Sequence, residues 1–214
     1  MKPLTRTLFG VVCLGAGMLL ASSASAQQAY LGVGFGQGHA SLPSVNTSFM
    51  GLTFTGAADK TSDTAYKLYG GYQFTPNWGV EVGYNDLGNK YSFTGALAGV
   101  PYSGTYKMDN WYVAATGTLP LQGGFSLIGK LGVSANKASG GVCVPSLGVC
   151  ASLGSDSKTD VMAGIGAQYS FMNHWAARLE YENYGKMTSD DVYGTGSSGA
   201  LKADAWNISV NYAF

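Results

Sequence analysis

Ala205-Trp206-Asn207-Ile208-Ser209-Val210-Asn211-Tyr212-Ala213-Phe214 ends the sequence, and its period decides how the rest is read. Counted in twos, Trp206, Ile208, Val210, Tyr212 and Phe214 share one face, and Asn207, Ser209, Asn211 and Ala213 share the other. That is a strand with one apolar and one polar side. At an open sheet edge in water so apolar a strand invites aggregation. In a barrel that is closed on itself and surrounded by lipid, the apolar face meets hydrocarbon and the polar face a narrow interior.

The same period recurs upstream. Tyr66, Leu68, Gly70, Tyr72 and Phe74 alternate with Lys67, Tyr69, Gly71 and Gln73, then Thr75-Pro76-Asn77 interrupts, and Trp78, Val80, Val82 and Tyr84 resume against Gly79, Glu81, Gly83 and Asn85. Two alternating runs joined by a tight turn predict a hairpin. A second hairpin is predicted from Trp111–Leu119, Pro120–Gly124 and Phe125–Val133, and a third from Val161–Phe171, Met172–His174 and Trp175–Tyr181. With a first strand near Ala29–Ala40 (Leu31, Val33 and Phe35 outward) and the terminal one, the count is eight. An even number returns both ends to one side.

The short turns alternate with long polar connections over Ser41–Ser62, Thr94–Gly104, Ala138–Ser157 and Thr188–Lys202. Short periplasmic turns and long outer loops are the asymmetry of an outer-membrane barrel. Phe74, Trp78, Phe125, Phe171, Trp175 and Phe214 sit outward beside short turns or the terminus and are expected to form the periplasmic aromatic girdle. A soluble eight-stranded barrel would turn its apolar residues inward instead. The expected fold is an all-β, eight-stranded, antiparallel up-and-down transmembrane barrel with four long extracellular loops.

The N-terminus fits the same compartment. Lys2 and Arg6 precede an uncharged stretch from Leu8 to Leu20 and the triplet Ala24-Ser25-Ala26, the pattern of a secretory signal peptide with an Ala-x-Ala cleavage site. The apolar core is shorter than the ~20 residues that a membrane anchor needs. Cys13 lies inside that core behind Gly10-Val11-Val12, which is no lipobox. Residues 1–26 are therefore expected to be a cleaved leader and 27–214 one barrel domain. Removing Lys2 and Arg6 leaves 10 basic residues against 12 acidic ones, a formal charge of −2 and no basic field for nucleic acid. Charged residues make up 11% of the chain, about half the share of a water-soluble domain.

The run Gly70–Tyr84, with Ala177-Arg178-Leu179-Glu180-Tyr181 and the ending Val210-Asn211-Tyr212-Ala213-Phe214, resembles the transmembrane domain of the OmpA family. The resemblance covers the strands and leaves out the long loops. The family often adds a periplasmic peptidoglycan-binding domain; the sequence stops at the barrel's last strand, so that role is not expected. The resemblance implies that the terminal aromatic, Phe214, is the signal read by the barrel-assembly machinery. It also implies a Gram-negative outer-membrane location among lipids and lipopolysaccharide.

The strand phase sends Glu81, Lys130, Arg178 and Glu180 into the lumen, each about three to five residues above a periplasmic turn. Eight strands enclose a space that side chains just fill, so these charges must pair. OmpA-like barrels are similarly described as carrying a charged lumenal gate, which maps onto Glu81, Lys130 and Arg178. Thr116 and Gln168 stand where that motif tends to hold further charges. The layer reads either as a structural strut or as a gate.

Cys143 and Cys150 are the only cysteines after the leader and bracket six residues of the third long loop. In an exported protein they are expected to form a disulfide, and nearby soft ligands for a metal are wanting. No enzyme is expected: His174 lies in a periplasmic turn, and His39 has Ser41 and Ser44 near it in sequence without a Ser/His/acid signature. Gly32, Gly34, Gly36 and Gly38 alternate on one strand face, outside any strand-to-helix phosphate loop, and leave room inside a crowded barrel. No cofactor or metal is implied. The expected role is structural and surface-interacting, with a largely plugged lumen and possible extracellular ligands at the long loops. The alternative is a small channel, porin-like or OmpW-like, that passes solutes, ions or apolar molecules.

Overall fold

The computed structural model describes residues 28–41, 45–49, 52–97, 99–188 and 201–214; the expected leader, and most of the connection 188–202, lie outside these. Ten strands follow in order: β1 (Gln28–Ser41), β2 (Val45–Phe49), β3 (Leu52–Lys60), β4 (Ser62–Gln73), β5 (Trp78–Leu97), β6 (Val100–Pro120), β7 (Phe125–Val144), β8 (Val149–Ser170), β9 (Trp175–Lys186) and β10 (Lys202–Ala213). Eight of them, β1 and β4 to β10, pair antiparallel with their neighbours and close on themselves through β5–β6. The seam between first and last strands runs from Tyr30 opposite Ala213 to Ser41 opposite Lys202.

Alternation explains the wall. Along β10 the polar Asn207, Ser209 and Asn211 are buried in the lumen, and Trp206, Ile208 and Val210 lie exposed on the outside. The girdle residues Phe74, Trp78, Phe125, Phe171, Trp175 and Phe214 are all exposed. A second aromatic level lies farther out, with Tyr84 against Trp111 and Tyr181 against Trp206, ring centroids 5.0 Å apart in both pairs. From Trp206 to Phe214 a strand rises about 26 Å, about 20 Å along the membrane normal at a tilt near 40°, which fits an apolar band ~25 Å tall.

The tight turns are built by the residues that interrupt the alternation. At Thr75-Pro76-Asn77 the Thr75 hydroxyl accepts the backbone N–H groups of Asn77 and Trp78 at 3.3 and 3.0 Å, and the Phe74 N–H donates to the Trp78 carbonyl at 2.9 Å.

The outer half departs from the expected loops. β5 runs on to Leu97 and β6 starts at Val100, and β7 and β8 run on to a 3-10 turn at Pro145–Leu147, so two of the long connections are tall hairpins. The first connection contains the hairpin β2–β3, whose β3 pairs with the outer part of β5 from Phe54 opposite Leu97 to Lys60 opposite Ser92. Residues 45–55 are rich in Val, Thr, Phe and Leu, which favour strands even where polarity suggests a loop. A bulge permits the change of partner: register shifts at Asp86–Tyr91 surround Gly88, at φ 102°, where a β-carbon would meet the Asp63 carboxylate at 2.4 Å. Asp63 Oδ2 accepts the Asn89 N–H at 3.0 Å, and the β4–β5 ladder ends at Tyr66 opposite Asp86, leaving the outer part of β5 open to β3.

Candidate functional site

Among the described residues, six charged side chains meet inside the barrel: Lys67 on β4, Glu81 on β5, Lys130 on β7, and Arg178, Glu180 and Glu182 on β9. None is more than 7% exposed. Arg178 Nη1 donates to Glu81 Oε2 at 2.8 Å, and Lys130 Nζ to Glu81 Oε1 at 2.6 Å. Lys130 also pairs with Glu180 and, at 3.1 Å, with Glu182. Lys67 Nζ lies 3.0 Å from Glu180 Oε2 and 2.7 Å from Glu182 Oε1. Three cations thus face three carboxylates, and the sum is zero. A buried charge without a partner costs several kcal/mol, so this balance is the condition on which the interior is stable.

Neutral donors complete the anions. Tyr30 Oη donates to Glu81 Oε2 at 2.9 Å and Tyr112 Oη to Glu81 Oε1 at 2.6 Å, so Glu81 holds four donors. Tyr184 Oη and Asn207 Nδ2 donate to Glu182 Oε2 at 2.9 and 3.2 Å. Arg178 Nε donates to Gln168 Oε1 at 2.6 Å, which draws Gln168 into the cluster as a neutral member, and its guanidinium lies 4.7 Å from the Tyr30 ring centroid. Thr116 is buried nearby on β6.

The rings fit because glycines face them. Tyr30 pairs in register with Gly71, Tyr69 with Gly32, and Tyr112 with Gly83. In each case a β-carbon on the glycine would come within 2.3 to 2.5 Å of the tyrosine ring. Toward the outside the lumen changes character: Asn85 donates to Asn110 at 2.8 Å, Asn136 to the Tyr184 carbonyl at 2.8 Å, and beyond them Leu87, Tyr91, Met108 and Met187 are fully buried.

Of the residues singled out in the sequence, Glu81, Lys130, Arg178 and Glu180 lie in one cluster. Lys67, Glu182 and the tyrosines around them were missed. The signal for Glu182 was its period-two relation to Arg178 and Glu180. Four charges already balance two against two, so nothing in the count called for another pair.

Cys143 and Cys150 are directly opposed on β7 and β8 and joined in a disulfide, Cα to Cα 4.1 Å. The Phe214 N–H donates to the Ala29 carbonyl at 2.9 Å, the last rung of the seam between β1 and β10. His39 lies in a lateral row between Ser62 and Asp204, a neighbourhood hidden in the sequence. Its Nδ1 is 3.8 Å from Asp204 Oδ2, too long for a hydrogen bond. His174 stacks on Tyr212, ring centroids 5.5 Å apart.

A closed eight-stranded wall with an apolar outer band and a polar, ion-paired interior defines a small outer-membrane barrel. The family model of the outer membrane protein beta-barrel domain matches residues 9–214, and the chain belongs to that family. It is a protein of the Gram-negative outer membrane, in keeping with the resemblance to the OmpA transmembrane domain. Among solved structures it is similar to Ail, the attachment invasion locus protein of Yersinia pestis, in complex with the heparin analogue sucrose octasulfate (19% identity, 88% of this chain and 99% of that one, TM-score 0.52). It is also similar to the N-terminal β-barrel domain of Pseudomonas aeruginosa OprF (12%, 88% and 99%, 0.52) and to P. aeruginosa OprG (16%, 88% and 97%, 0.52). At these identities the likeness is one of fold. No curated protein matches the sequence at a significant level.

Proposed function

We propose that the barrel is an anchor with a plugged lumen that displays its tall hairpins at the cell surface. The observation that supports this reading is the balanced cluster of Lys67, Glu81, Lys130, Arg178, Glu180 and Glu182, whose ion pairs link β4, β5, β7 and β9 across the lumen. Purified protein in planar bilayers is expected to show no sustained conductance; a large, lasting conductance overturns the plugged reading in favour of a small channel. That second reading draws on the nature of the plug, which is made of long side chains that can change rotamer while the strands stay paired.

The displayed surface has its own chemistry. Residues 45–58, 91–106 and 138–155 contain no Asp, Glu, Lys, Arg or His, while Val100, Leu147 and Val149 are 41%, 70% and 57% exposed. The Ail structure holds a polyanion; a sulfated ligand needs cations that these segments lack. An uncharged partner, bound by shape, hydrogen bonds and apolar contact, fits better, and its affinity should be nearly independent of salt. Below the hairpins lie Lys107, Lys137, Lys158, Lys186 and Lys202, on the outer parts of β6 to β10. Their placement toward the outer rim supports contact with the phosphates of lipopolysaccharide.

A further inference from the structure

On the outer wall the layer of apolar side chains is interrupted in one area. Trp78, Gly117, Gly129, Ile165 and Tyr181 occupy a single lateral row across β5, β6, β7, β8 and β9. Gly117 and Gly129 are directly opposed, so two adjacent strands lack an outward side chain at the same level. These glycines differ from those inside. A β-carbon on Gly129 would meet nothing within 4 Å, and one on Gly117 would meet the Trp78 ring at an ordinary 3.4 Å, whereas the space beside Gly32, Gly71 and Gly83 is taken by tyrosines. Packing within the protein therefore does not demand glycine at 117 or 129. In the next row outward Ala115 and Ala163 lie on either side of Leu131, whose side chain projects between them, 64% exposed. The result is a groove with Gly117 and Gly129 as its floor, extended by Ala115 and Ala163 past Leu131, and with walls of Trp78 on one side and Ile165 with Tyr181 on the other. Its lower end opens beside Asn77 and Leu119 at the periplasmic turns.

The geometry points to a binding site for one acyl chain of a glycerophospholipid in the periplasmic leaflet. The groove is continuous with the lipid-facing band, so hydrocarbon is the medium that meets it. Lys130 borders the groove through its backbone alone, since its ammonium group is in the lumenal cluster. The floor spans neighbouring strands about 4.8 Å apart, which admits one linear chain and excludes the convex wall of a second barrel. Depth selects the leaflet. From Ser170 at the turn to Ala163 the strand climbs about 23 Å, about 17 Å along the membrane normal at a tilt near 40°. That is roughly half of a hydrocarbon core ~30 Å thick. Trp78, 64% exposed at the foot of the groove, stands at the level where interfacial tryptophans meet headgroups and glycerol esters. A chain lying in the groove gains dispersion contact along its length on three sides, and one against the convex remainder of the wall gains it on one.

The test is phospholipid retention by the full-length barrel. Wild type, refolded in vesicles of phosphatidylethanolamine and phosphatidylglycerol and extracted in mild detergent, should carry one phospholipid in native mass spectrometry. Gly129→Leu fills the floor without an internal clash and should lower that occupancy at least tenfold. Gly70→Leu, outward on β4, should leave it unchanged. Heat-modifiable gel mobility confirms that each barrel is folded, and Ala163→Leu at the upper end replaces Gly129→Leu if the latter does not fold. Wild type that retains no phospholipid, or equal retention in wild type and the groove variants, overturns the proposal. So does a groove variant that loses a dimer in place of a lipid.

Discussion

Arg178 Nη1 and Glu81 Oε2 lie 2.8 Å apart across the lumen, although 97 positions separate the residues and their strands are not neighbours in the sheet. Arg178→Ala leaves Lys67 and Lys130 facing three carboxylates, and stability should fall by about 3 kcal/mol. Adding Glu81→Ala restores two against two, so the double variant should be less destabilised than the sum of the single ones. Reversible urea unfolding in lipid vesicles measures the cycle. Additive losses would show that the two groups are not coupled. If Arg178 also blocks a path, folded Arg178→Ala barrels will conduct small ions where wild type does not.

Gly32 on β1 and Tyr69 on β4 are directly opposed inside the barrel. The Tyr69 ring cannot swing away cheaply, because it is 1% exposed and its hydroxyl is 3.0 Å from Ser209 Oγ. Gly32→Ala would place a β-carbon 2.3 Å from the ring and should cost about 1–3 kcal/mol. In a Tyr69→Ala background the same substitution should cost little. A loss of equal size in both backgrounds would show that Tyr69 is not what Gly32 accommodates.

Breaking the Cys143–Cys150 bridge should leave the barrel intact, because it joins the tips of β7 and β8 above the membrane-spanning part. Closing so short a loop removes about 2–3 kcal/mol of unfolded-state entropy. Cys143→Ser with Cys150→Ser should therefore retain heat-modifiable mobility while amide exchange quickens within residues 142–151. Loss of the folded band would assign the bridge a role in assembly.

Phe214 contributes the final rung of the seam and leaves its ring 71% exposed, 5.2 Å from Tyr212. Deleting it, or replacing it by Asp, should leave export across the inner membrane unchanged and reduce the folded, heat-modifiable fraction in the outer membrane. Equal outer-membrane yield in the variant would argue against Phe214 as the assembly signal.

The barrel was legible in the sequence because its cause is local. Alternation with a period of two follows from the extended backbone, and a Thr-Pro-Asn or Met-Asn-His interruption carries its own turn chemistry, so the barrel strands, their faces and the periplasmic girdle needed no knowledge of distant partners. Composition misled where polarity stood in for conformation: β5 with β6 and β7 with β8 extend through segments that read as loops, and residues 45–49 and 52–60 form β2 and β3, the latter because β5 supplies an edge beyond the Gly88 bulge. Which inward side chains meet was decided by tertiary structure alone. Strand tilt and register set the depth of every lumenal group, and those offsets brought Lys67 to Glu180 and Glu182, and laid Tyr30, Tyr69 and Tyr112 each against a glycine on the next strand. The sequence by itself determined that these groups point into a narrow polar interior; only closure of the barrel, which joins strands a hundred residues apart at fixed height, determined their partners.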